Sequence, residues 1–76
     1  MEIRIVVPDA FAASDLTWYL SQSARVSKNP DGGFVVHVQA GDHVQRVVSD
    51  VRKWLTSNVV EGVVVHVGED VLALDS

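Results

Sequence analysis

The sequence predicts an α+β domain in which two helices lie on one face of an antiparallel sheet. One long stretch, Asp42 to Asn58, repeats its apolar residues at helical spacing, while shorter stretches on either side alternate at the spacing of strands. A strong turn signal, Asn29-Pro30-Asp31-Gly32-Gly33, joins two of those strands into a hairpin, because proline presets the first corner and glycine supplies positive φ.

Taken in order, Glu2 to Val7 sends Ile3, Ile5 and Val7 one way and Glu2, Arg4 and Val6 the other, a first strand with one buried face. Pro8-Asp9 ends it. A first helix is expected from Asp9 or Ser14 to about Ser23, with Ala13, Leu16, Tyr19 and Leu20 toward the core. At about 100° per residue, Trp18 falls opposite Leu16, and an early helix start puts Phe11 on the same outer side. Arg25 to Lys28 reads as a short second strand. The third strand has Phe34, Val36 and Val38 on one face and Val35, His37 and Gln39 on the other.

The second helix carries an apolar stripe of Val44, Val47, Val48, Val51, Trp54 and Leu55. Asp42 is expected to cap its start, with Gln45 reaching back as in a capping box, and Asn58 to stop it in left-handed geometry. Val63 to Val67 makes a fourth strand, Gly68-Glu69 a two-residue loop, and Asp70 to Leu74 a fifth strand. That register sets Val65 opposite Leu72 and Val63 opposite Leu74, leaving Val64, His66, Val71 and Ala73 on the reverse side. The order of elements predicts a ferredoxin-like split βαββαβ arrangement with an extra C-terminal strand. Its first strand lies between the third and fourth, with the second and fifth at the edges. No linker or repeat divides residues 1–76, so a single domain is expected.

Composition narrows the function classes. A chain of 76 residues without cysteine has neither disulfides nor thiolate metal sites to support a small core, which leaves oligomerisation as the available aid. The net charge is −4 and the basic residues Arg4, Arg25, Lys28, Arg46, Arg52 and Lys53 are scattered, so nucleic acid is not an expected partner. No apolar run approaches the roughly 20 residues of a membrane span, and no membrane partner is expected. Met1-Glu2-Ile3-Arg4 reads as a strand and not as a secretory leader, so a cytoplasmic location is expected.

Helices on one face leave the other uncovered, and alternation assigns it Glu2, Arg4, Val6, Val35, His37, Gln39, Val64, His66, Val71 and Ala73. An open face with four valines and an alanine on adjacent strands predicts a protein interface. Its expected residues are Val6, Val35, His37, Val64, His66 and Val71, with the outward Phe11 and Trp18 as a second contact. The partner is another protein, most simply a second copy in a two-fold dimer that packs sheet on sheet or pairs edge strands.

Chemistry has fewer footholds. His37 and His66 project from one side, but the strand between them sets their backbones about 9 to 10 Å apart, and Glu2 is the sole further ligand in view. Solvated histidines are the expectation, with no metal and no cofactor. There is no glycine-elbow serine, no His-Glu-x-x-His, and no phosphate loop at Gly32-Gly33, so no catalytic set is expected.

Two resemblances add to this reading. Val7-Pro8-Asp9-Ala10 looks somewhat like the loop before the first helix of ACT-type regulatory domains, which implies a small ligand near Pro8 to Ala13. A small enzyme of the dimeric α+β barrel class is a further alternative. Met1 to Val7, Val51-Arg52-Lys53-Trp54-Leu55, Val63 to Val67 and Gly68 to Asp75 together resemble the effector-associated constant component family of bacterial conflict systems. That resemblance implies an adaptor that recruits partners and performs no reaction.

Overall fold

The computed structural model describes residues 2–20, 24–58, 60 and 62–74. The strands are β1 (Glu2–Val7), β2 (Ala24–Lys28), β3 (Phe34–Gln39), β4 (Val63–Val67) and β5 (Asp70–Leu74); the helices are α1 (Ala10–Leu20) and α2 (Val44–Ser57). They form a small α+β domain with one antiparallel sheet in the order β2-β3-β1-β4-β5, so β1 is central and β2 and β5 are edges.

Alternation along each strand decides which side is buried. Ile3, Ile5, Val7, Val36, Val38, Val63 and Val65 form one cluster with Ala12, Ala13, Leu16 and Leu20 of α1 and Val47, Val51, Trp54 and Leu55 of α2. Their sequence neighbours on the same strands face the other way. Both helices therefore cover one side of the sheet, and burying that side is the main drive to fold.

The first helix begins early because Asp9 caps it: its Oδ1 accepts the Ala12 backbone N–H at 2.7 Å. The expected extension to Ser23 falls outside the described residues. Tyr19, expected in the core, is 47% exposed, and Ala12 is buried in its stead. The buried arc centres on Ala13, Leu16 and Leu20, and Tyr19 sits on its flank.

The ends of α2 differ from expectation. Asp42 does not cap it; His43 occupies the N-cap position without a side-chain hydrogen bond, and its own N–H donates to the Ala40 carbonyl at 2.8 Å in a tight turn. Gly41 adopts φ +56° in that turn, which holds Asp42 in the turn ahead of the cap position. Asn58 is extended at φ −131°, not left-handed. It ends the helix by donating both its backbone N–H and its Nδ2 to the Trp54 carbonyl, each at 3.0 Å. The side chain thus gives the Trp54 carbonyl a second donor beside its regular helical one.

The β2–β3 turn is closed by Asn29 N–H to the Gly33 carbonyl at 3.1 Å and Gly32 N–H to the Asn29 carbonyl at 3.0 Å. Gly33 has φ +80°, and a Cβ there would collide with the Val7 carbonyl oxygen. Gly33→Ala is therefore expected to lose at least about 1–2 kcal/mol, read as a lower urea midpoint. An unchanged midpoint would mean that the turn and the end of β1 do not approach as described.

Candidate functional site on the reverse face

Cross-strand register arranges the uncovered side into two lanes that run across the strands. Ser27, Val35, Val6, Val64 and Ala73 are successive partners in one lane. Arg25, His37, Arg4, His66 and Val71 are successive partners in the next. With strands about 4.8 Å apart, each lane is about 19 Å long. The first is mostly apolar and the second mostly basic or titratable. Val6, Val35, Val64, His37 and His66 are half-buried, each flanked by the neighbours named, whereas Arg4, Val71 and Ala73 are exposed.

A polar network anchors one end of the basic lane. His37 Nδ1 lies 3.4 Å from Glu2 Oε1 and its Nε2 lies 2.8 Å from Ser27 Oγ. Glu2 Oε2 also accepts Gln39 Nε2 at 3.3 Å and stands 4.0 Å from the Arg25 guanidinium. In neutral His37, the acceptor Glu2 places the proton on Nδ1, and Ser27 then donates to Nε2. Carboxylate, imidazole and hydroxyl thus follow the hydrogen-bond order of a serine-hydrolase relay. Sequence reading found no such set, because its members lie 10 and 35 residues apart in the chain and only the register of three strands unites them. Ser27 is exposed on an edge strand and the Glu2 side chain is 37% exposed, so water reaches the relay freely. Acyl transfer draws its rate from preorganised donors in a dry site. The same contacts hold the His37 ring between Glu2 and Ser27 and set the Glu2 carboxylate near the Arg25 guanidinium.

Arg4 differs from Arg25. It stands between His37 and His66 and, among the described residues, has no ion pair. The two histidines flank it on separate strands, and no group of three metal-ligating side chains occurs among the described residues.

Phe11 and Trp18 are 82% and 81% exposed on the outer side of α1, away from the sheet's reverse face. The structure therefore does not join them to the valines as one surface. Trp18 lines a depression with Val26 and Phe34, and Phe11 lines another with Trp54 and Asn58. A third depression, about 580 Å³, lies where a small ligand was expected, between Pro8–Ala10 and the β2–β3 turn, but the Asp9 carboxylate beside it is engaged in capping α1.

Beside Phe11, the buried Trp54 indole donates its Nε1–H to Asp15 Oδ2 at 2.8 Å, which ties α2 to α1. Asp15→Ala leaves that donor without its acceptor and is expected to cost about 1–3 kcal/mol in denaturant unfolding. No measurable loss would show that water replaces the carboxylate.

No helix among the described residues is long and apolar enough to cross a membrane. No family model matches the chain, no curated protein matches it, and no solved structure matches it.

Proposed function

We propose that the chain is a non-catalytic protein-interaction module of ferredoxin-like type, with β5 as the added strand, that docks another protein through the reverse face. The sheet order, with β1 between β3 and β4, supports the fold assignment. The observation that carries the function is the valine lane of Val35, Val6 and Val64 lying in register beside Arg4, which has no ion pair among the described residues. A partner that lays apolar side chains along one lane and a carboxylate against Arg4 gains burial and a charge-assisted contact together. The fuller form of the proposal is a recruiting adaptor of the effector-associated constant component kind, supported by the resemblance of Val51 to Leu55 and of the β4–β5 hairpin.

The test is a photoreactive amino acid placed at Val64 on the reverse face and, separately, at Arg46 on the exposed side of α2, irradiated in the native cells. A discrete protein adduct from position 64, missing from position 46, is the expected result. Identical adducts from both positions, or none from position 64, would overturn the reading.

A further inference from the structure

We infer that β5 is a self-pairing edge, through which two copies of the chain join their sheets about a two-fold axis. This goes beyond docking through the reverse face and rests on a different feature, the backbone rim of the sheet.

The two edges are unlike. β2 carries Arg25 and Lys28, charges of the kind that blunt an edge against unwanted pairing. β5 has its one charge, Asp70, at its start, followed by Val71, Leu72 and Ala73. Val71 is 59% exposed on the reverse side, and Leu72, 36% exposed, points to the helix side. There it lines an open groove of mixed character with Val44, Val48 and Val67 and with Gln45, Ser49 and Arg52. The strand thus offers apolar side chains on both faces beside a rim that no strand among the described residues pairs.

Hairpin geometry says which backbone groups line that rim. Gly68-Glu69 is a two-residue loop, so Val67 and Asp70 form its closing hydrogen-bonded pair, and Val65 with Leu72 the next. The N–H and C=O of Val71 and Ala73 therefore point away from β4. An antiparallel copy centred on Leu72 sets Val71 opposite Ala73 of the second copy, and Ala73 opposite Val71 of the second copy. Each of these pairs exchanges both hydrogen bonds. Leu72 meets Leu72 of the second copy across the helix-side groove.

Asp70 falls opposite Leu74 of the second copy, so the two Asp70 carboxylates sit at opposite ends of the pairing and do not meet. The closed two-fold also needs nothing from the charged β2 edge. The pairing involves a strand of five residues and its flanking groove, a small contact of the kind that makes reversible and not permanent dimers.

The chain has no cysteine, which makes a single thiol a clean probe. The non-hydrogen-bonded pair Leu72 with Leu72 of the second copy brings Cα atoms within disulfide range. Leu72→Cys is expected to oxidise to a covalent dimer, whereas Glu69→Cys stays monomeric. Ala73→Pro removes only an outward N–H and is expected to keep the circular dichroism of the parent while raising the dimer dissociation constant at least tenfold in sedimentation. Leu72→Cys that remains a thiol monomer, or a dimer unaffected by Ala73→Pro, would overturn the proposal. A dimer lost in Val64→Glu and kept in Ala73→Pro would place self-association on the reverse face instead, and so separates this inference from the docking reading.

Discussion

Trp54→Ala is expected to remove most of the domain's stability, leaving a marginally folded chain with a much lower urea midpoint. The indole is 1% exposed and packs α2 against the sheet while its N–H binds Asp15 of α1. Truncating a buried tryptophan costs about 3–5 kcal/mol, against a total of about 5–15 kcal/mol for ordinary domains. A chain of 76 residues belongs near the lower end of that range, so the loss takes most of its stability. Urea unfolding followed by circular dichroism checks this. A midpoint that falls by the equivalent of less than 1 kcal/mol would mean that α2 is held by something other than Trp54. Because the Asp15 bond vanishes with the indole, Asp15→Ala should add little in the Trp54→Ala background.

The second large effect is a contrast between neighbours. Val64 and Val65 are adjacent valines on the same strand, yet Val65 is fully buried beneath the helices and Val64 is half-buried in the reverse-face lane. Val65→Glu puts a carboxylate into an apolar core without a partner and is expected to abolish folding. Val64→Glu disturbs cross-strand contacts with Val6 and Ala73, worth on the order of 1 kcal/mol, so the chain should remain folded. What it is expected to lose is docking of the proposed partner, because the substituted carboxylate interrupts the valine lane and offsets the charge of Arg4. Circular dichroism and photocrosslinking together read both outcomes. Val64→Glu chains that unfold would show that the faces are assigned the wrong way round.

The strands were legible in the sequence because period-two alternation is strong in Ile3-Arg4-Ile5-Val6-Val7 and in Phe34 to Gln39, and a buried face fixes which residues turn inward. Gly68-Glu69 fixed the last register in the same way, and Val65 does pair with Leu72. The helix ends were less legible. Asp42 has the chemistry of a cap, but the turn at Gly41 shifts the cap position to His43. The Tyr19 error has a similar cause, since a flank residue of α1 exchanges with Ala12 on a small change of helix rotation. The polar contacts lay furthest from sequence reading. Glu2, Ser27 and His37 meet only through the pairing of three strands, and Trp54 reaches Asp15 across 39 residues. Val6, Val35, His37, Val64, His66 and Val71 do share one face as their alternation implied, while Phe11 and Trp18 stand apart on α1.

The claim on which the rest depends is that the helices shield one side of the sheet and leave the valine lane open to a partner. Valine-methyl NMR with a soluble gadolinium chelate measures that directly on the dilute chain. The account predicts strong relaxation of the Val6, Val35, Val64 and Val71 methyls and protection of those of Val7, Val36, Val47 and Val65. Equal protection of both sets in the monomer would show the lane already covered, and would contradict it.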